Sequence, residues 1–579
     1  MILNALAQYY NRLKEDHGSG IALPGFSIQR IHFAVVIDKE GNLKQIKDIH
    51  KKKKKKPQPV EIMVPESVVR SGKPTPKSAK PNFLWDNAGY VLGVDNKGKK
   101  GNASITFNAF KNFHHKIGDA SGDAGMQAVL RFLDRWTNDK ISTISNWQDI
   151  LDSNGNLVFL LEGDTQFVHE RKAVRDLWLT YKKDTVEDVL STCLITGKQM
   201  PIARLHPKIK GVRYAQSSGA SIVSFNLDAF CSYNKEQNYN APISEDAAFA
   251  YTTALNYLLR YDSRQKIQIG ETTTVFWTER KSAVENVWGE MFNPSNTDSA
   301  DTKEVHDYLS AVREGKNPPG IDTSVTMYIL GLSPNASRLA IRFWITDTIN
   351  AFNRNLGSHF NNLRIEKQYK NDKDFPGIWR LIIETLPKKM ELRKSENINP
   401  LLSGIYMKSV LTGGMYPESL LAALIRRLRA DGDVSYYRAA QIKAILKRNY
   451  QKEVSMGLDE NNTNIAYRLG RLFAVLEKAQ EEAIPGANAT VKDRFYGSAS
   501  ATPGVVFPQL LRMGQHHLAK IGEGSRIAKE KMIQSIVEGI DSFPRHLPLE
   551  EQGHFSLGYY HQRNAFFRKK VTDEVVITK

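Results

Sequence analysis

The residues with the clearest chemistry are cations spaced by glycine, proline and short polar side chains. In "GKQMPIARLHPKIKGVRYAQSSGASIVSFN" (197–226), Arg204, His206, Lys208, Lys210 and Arg213 crowd a turn-rich stretch. Gly211 and Gly219 let a backbone come close to a ligand there. Alternating cations and exposed amides suit a phosphodiester chain; the same composition suits a basic surface loop. Lys51, Lys52, Lys53 and Lys54 begin a run of adjacent lysines that ends at Lys56. Neighbouring ammonium groups repel, so the run gains the fold nothing. It reads as a flexible phosphate-binding finger or as a solvated tip. "YNKEQNYNAP" (233–242) sets Lys235 among Asn234, Gln237, Asn238 and Asn240. Such side chains donate to phosphates or base edges, or simply order a polar loop. "SGKPTPKSAKPNFLWDNAGYVLG" (71–93) spaces Lys73, Lys77 and Lys80 with prolines directly before an apolar, strand-like run.

Catalytic signatures are missing from the sequence. There is no GxxxxGK[ST] phosphate loop, no HExxH and no GxSxG. The adjacent pairs His114–His115 and His516–His517 point about 100° apart on a helix and share a metal poorly. His554 and His561 lie among Tyr559, Tyr560, Phe566 and Phe567, which suits packing better than ligation. No cofactor and no metal are expected.

The charge balance points the same way as the motifs. Of 579 residues, 80 are Lys or Arg against 62 Asp or Glu, a formal charge of +18. Such an excess favours a polyanionic partner, nucleic acid before a membrane surface. The composition, 41% hydrophobic and 25% charged, supports real cores, and the length asks for two to four of them. Two cysteines, Cys193 and Cys231, with no CxxC, fit a reduced cytoplasmic setting. No apolar run approaches the ~18–20 residues of a membrane span, and the N-terminus lacks the pattern of a signal peptide.

The elements that must carry these residues change character along the chain. An opening amphipathic helix precedes "IHFAVVID", a turn and "LKQIKDI", which read as a hairpin, and "VEIMVP" reads as a further strand. "SIVSFN" (221–226), "TTTVFW" (272–277), "TMYILGL" (326–332) and "RLAIRFWIT" (338–346) are strand-like. The last two flank the turn "SPNAS" and form a hairpin. Residues 244–260 read as a helix capped by Ser244. The stretch 295–304 is polar and loop-like. From about residue 376 strands give way to amphipathic helices, with Pro417 opening one, Gly432 closing it and Asn464 capping another. The expected fold class is α+β. A mixed α/β N-terminal region with antiparallel β-hairpins spans 1–375, and an all-α helical bundle spans 376–579.

In order along the chain, "KPNFLWDNAGYVLG", "PIARLHPKIKGVR", "GASIVSFN", "YNKEQNYNAPISEDAAFAYTTALNYLL", "LGLSPNASRLAIRFW", "LTGGMYPESLL" and "NTNIAYRLGRLFAVLEKAQEEA" carry a resemblance. Together they resemble the large subunit of the type I-C CRISPR surveillance complex, Cascade, over nearly the whole chain. The resemblance implies a non-catalytic subunit of an RNA-guided antiviral ribonucleoprotein. It would read the protospacer-adjacent motif (PAM) in double-stranded DNA, promote duplex opening and R-loop formation, hold the displaced strand and help recruit a helicase-nuclease. Its partners would be crRNA, target DNA, the backbone and handle-binding Cascade subunits, and a small subunit made from the same gene. On that reading Asn82 meets a base edge, in a minor groove whose pattern is degenerate. Lys73, Lys77 and Lys80 contact phosphates, and Phe83 anchors the loop. The bundle arginines Arg426, Arg427 and Arg429 face the displaced strand or solvent. Met456 would be the internal start of a 456–579 product. Two other readings stay open: a nucleic-acid-cleaving enzyme with a dispersed metal site, and an RNA-binding scaffold.

Overall fold

The run "FSIQRIHFAVVI" forms β1 (Phe26–Ile37), whose second half is buried almost without a break. Such continuous burial belongs to a strand covered on both faces. The computed structural model describes residues 1–16, 18–51, 58–68, 70, 73–94, 102–137, 147–153, 155–184, 189–269, 272–292, 303–389, 391, 393 and 397–567. Lys52, Lys53 and Lys54, and most of the polar stretch 295–304, lie outside them. Contacts divide the chain into two compact units, one of residues 6–207 and 225–254, the other of residues 1–5, 208–224 and 255–579.

In the first unit β1 organises a five-stranded sheet. Its two halves pair antiparallel with β2 (Leu43–Asp48) and β3 (Val60–Pro65), which confirms the expected hairpin. The next strand, β4 (Trp85–Asn87), has only three residues and turns straight into the short helix Ala88–Val91. The long apolar strand read from Phe83 onward is therefore mostly not strand. Asn87 explains the break, because its side chain accepts the Gly89 amide and caps the helix. β5 (Asn156–Leu161) lies between β1, parallel, and β4, antiparallel. Helices Ala103–Gly118, Ala124–Arg135 and Lys172–Asp184 cover the sheet through Phe110, Met126, Phe132 and Trp178, which share one core with Phe33 and Phe159. A two-stranded ribbon, β6 (Leu190–Thr192) with β7 (Gln199–Pro201), stands apart from that sheet.

The second unit builds a four-stranded antiparallel sheet from β8 (Lys266–Ile269), β9 (Thr272–Thr278), β10 (Thr326–Asn335) and β11 (Arg338–Thr348). The hairpin expected over 326–346 is present, but its strands run further than "SPNAS" suggests. Only Ala336 and Ser337 turn, with Ala336 at φ 52°. "SIVSFN" does not become a strand: Ser221 makes a single parallel bridge to Arg338 and the ladder ends. After Leu363 the described residues carry only helices. Eight of them, from Pro400–Thr412 through Leu549–Phe567, follow one another as the sequence predicts. Asn464 caps Ile465–Ala483 by accepting the Tyr467 amide, and Gly432 ends Glu418–Asp431 at φ 60°. Sheet and bundle share one core, from Ile267 and Phe276 through Phe375 and Ile378 to Phe555 and Tyr560. Phe375 and Ile378 lie in that common core, so packing is continuous across the change of character at residue 376.

Candidate nucleic-acid interface

The proline-spaced lysines sit on a loop that the first unit holds from below. Thr75 and Ser78 bond reciprocally: each backbone N–H donates to the other's hydroxyl, at 2.9 and 3.1 Å. The Thr75 carbonyl also accepts the Ser78 and Ala79 amides. This closed turn leaves Lys73, Lys77 and Lys80 exposed. Beneath it Arg70 grips Asp86 with both terminal nitrogens, donates from Nε to the Lys80 carbonyl at 2.7 Å and covers the Tyr90 ring at 4.0 Å. Asp86 also accepts the Asn82 and Asn87 amides at 3.0 and 2.9 Å. Burial pushes the Asp86 carboxyl above its usual range, while the fork and charge of Arg70 work against that rise.

Asn82 is part of this anchor. It is 4% exposed, and its Oδ1 accepts the Val68 amide at 3.0 Å. A side chain so committed presents no edge to solvent, so in this structure the lysines form the exposed surface and Asn82 the base of the loop. Phe83 is fully buried and stacks between His114 and Trp178, at 5.4 and 5.2 Å between centroids. Leu84 follows at φ 61°, held by its amide on His114 Nε2 at 2.8 Å. His114 donates from Nδ1 to the Phe110 carbonyl, and burial lowers its pKa to about 3, so the ring stays neutral and Nε2 stays an acceptor.

The basic stretch 204–213 is divided between the two units. Arg204 and His206 belong to the first unit; Lys208, Lys210 and Arg213 belong to the second. His206 is buried, bonds the Tyr251 hydroxyl at 2.7 Å and has its pKa lowered to about 4 by burial. It is a neutral core residue and supplies no charge to a phosphate. Lys208 reaches the Ser221 hydroxyl at 2.9 Å, Lys210 is exposed, and the Arg213 guanidinium lies 4.8 Å from the Tyr214 ring centroid. The two glycines serve the protein itself. A Cβ at Gly211 (φ 90°) would stand 2.6 Å from the Leu259 carbonyl, and one at Gly219 (φ 96°) 2.8 Å from Lys208 Cβ. Lys235 is exposed, and Lys51 is exposed beside its backbone pairing with Gln58.

The bundle arginines separate into two kinds. Arg427 turns inward and pairs with Asp431, which also takes the fully buried Arg438 at 2.6 Å. Arg426 and Arg429 point outward and line a groove of about 630 Å³ with Arg494, Gly497 and Ser498. Arg494 comes from the helix Val491–Ala499, whose Gly497 lies against Arg429. Among the described residues none of the three grooved guanidiniums has an ion-pair partner. Sequence reasoning missed Arg494 and Arg70; each matters through residues ten or more positions away.

Glu550, Glu551 and His554 bring ligand atoms within 4.8 Å of one another. Lys452 already sits 3.2 Å from Glu550, and the Asn464 amide donates to Glu551 at 2.9 Å. Protein cations and donors thus satisfy both carboxylates. His561, by contrast, is buried and bonded to the Tyr467 hydroxyl at 2.9 Å. No helix among the described residues is long and apolar enough to cross a membrane.

Fold and surface together define a large, basic α+β protein with an arginine groove in its helical part and an anchored lysine loop in its sheet part. Residues 6–567 match the family model of the CRISPR-associated protein Cas_Csd1, and the chain belongs to that family, the type I-C large subunits. It is thus a CRISPR-associated Cascade protein. No curated protein matches it.

Proposed function

We propose that the chain is the non-catalytic DNA-recognition subunit of a crRNA-guided complex. It reads the PAM, helps open the duplex, holds the displaced strand and docks the helicase-nuclease. The observation that carries this reading is the groove of Arg426, Arg429 and Arg494. Three guanidiniums on one surface with no acidic partner among the described residues suit a run of phosphates better than a protein core. The loop of Lys73, Lys77 and Lys80 supports it as a second phosphate-facing element. On this reading the lysines position the duplex, and Asn82 meets a base only when its bond to Val68 opens.

The test is target-duplex binding by the reconstituted crRNA complex with the flanking base pairs randomised. The native complex should select a short motif, and Asn82→Ala should flatten the selection. Selection that survives Asn82→Ala places the reader elsewhere, and binding that ignores the flank overturns PAM recognition. A second proposal concerns Met456, which is half-exposed and precedes the Asn464-capped helix. It would start a separately translated 456–579 product. With a C-terminal tag, Met456→Ala should abolish a small immunoblot band; a persisting band refutes the start.

A further inference from the structure

The loop 231–240 of the first unit carries an unusual turn. The Lys235 amide donates to the Ser232 carbonyl at 3.0 Å, and the two residues between them, Tyr233 and Asn234, sit at φ 54° and 55°. Positive φ at both central positions is the pattern of a type I′ turn, which favours Asn and Gly. Asn234 fits that preference. Tyr233 does not, since a bulky residue at positive φ is an outlier. No packing repays it, because the side chain is 95% exposed and its ring meets no other ring or cation among the described residues. The other exposed tyrosine at positive φ, Tyr214, differs because Arg213 covers its face.

The turn is nevertheless fixed. Asn240 accepts the Ser232 amide at 2.8 Å and donates to the Lys235 and Gln237 carbonyls at 2.7 and 2.9 Å. The nearly fully buried Asn238 ties the loop to the Arg204 carbonyl through its own amide at 3.4 Å. A rigid loop therefore holds one bare aromatic face in solvent, with the exposed cations of Lys235 and Arg204 on the same loop system. Asp228 and Glu236 are exposed there too, so the local charge is balanced and the ring is the distinctive feature.

We propose that Tyr233 is a stacking platform for an unpaired nucleobase. It adds a base contact to the phosphate contacts proposed above, and it rests on that nucleic-acid-binding reading. The held backbone leaves only the two side-chain torsions of Tyr233 to be ordered on stacking, and every base offers a π-face, so the contact suits a strand of any sequence. Lys235 and Arg204 then meet the flanking phosphates.

The full-length chain is titrated with oligothymidylate of about 20 nucleotides, the matching oligouridylate and an abasic strand of the same length. Tyr233→Ala and Tyr233→Asn should each weaken binding to a based strand by about 5- to 100-fold. Tyr233→Asn suits the positive φ, so its loss reports the ring and not the turn. Tyr233→Phe should bind as the native chain does. The salt slope should be unchanged, since no phosphate contact is removed, and all variants should bind the abasic strand equally. A loss confined to the DNA strand assigns the platform to DNA, and one confined to the RNA strand assigns it to RNA. Equal binding by Tyr233→Ala and the native chain overturns the platform and leaves the proposed function standing. Equal losses in Phe and Ala overturn stacking as its basis. Failure of the native chain to bind any strand overturns both.

Discussion

Arg426 and Arg427 are adjacent in sequence and differ in what they touch. Successive residues on a helix point about 100° apart, so one faces the groove and the other faces Asp431. Substitution should separate them. Arg426→Ala, Arg429→Ala or Arg494→Ala should weaken nucleic-acid binding with little loss of stability. Each should lower the salt slope by about 0.7 for a single strand. Arg427→Ala should leave the slope unchanged and lower the thermal midpoint, because Asp431 keeps only Arg438. Salt-dependent titrations beside melting curves decide it; a slope change in Arg427→Ala would count against the groove. Asn82 carries a related lesson. A polar residue before an apolar run is legible as special, but only the Val68 amide shows that its carbonyl oxygen is already taken.

Glycine decides how two bundle elements meet. Helices Ile465–Ala483 and Leu549–Phe567 cross where Gly470 faces the Phe555 carbonyl and Gly558 faces the Tyr467 carbonyl. A Cβ at either position would lie 2.0 Å from that oxygen, backbone that cannot swing aside. Gly558→Ala should therefore force the helices apart and cost about 1–3 kcal/mol or more. Thermal unfolding should show it, with faster hydrogen exchange in both helices. A midpoint equal to the native one would mean that the pair adjusts freely. Such crossings are hidden in a one-dimensional stripe. The apolar repeat marks the buried face of Ile465–Ala483 but does not say which helix lies on it.

Buried histidines couple the whole molecule to pH. Burial lowers His114 and His359 to about 3, and His169, His206 and His561 to about 4, from an ordinary 6.5. Between those values the unfolded chain binds protons that the folded chain refuses. Stability is therefore complete above about pH 6.5 and falls as the pH drops toward 4. Calorimetric midpoints measured from pH 7.5 down to about 4.5 should decline steadily. A flat profile would mean that these rings protonate without unfolding. The chain-wide charge of +18 adds self-repulsion that grows in the same direction.

The sequence by itself determined the order and type of most elements, because hydrophobic period, caps and turn residues act over a few neighbours. The β1–β2 hairpin, the Asn464 cap, the Gly432 stop and the run of C-terminal helices follow from such local rules. So did the family, through short motifs in a fixed order. Tertiary structure alone decided which cations are free. His206 is neutralised by burial, Arg427 by Asp431, and Arg426 and Arg429 gain Arg494 from a later helix. It also decided that "SIVSFN" makes one bridge rather than a strand, and that Gly211 and Gly219 make room for the chain itself. Burial, pairing and close approach depend on residues far apart in sequence, and local composition carries no record of which distant groups will meet.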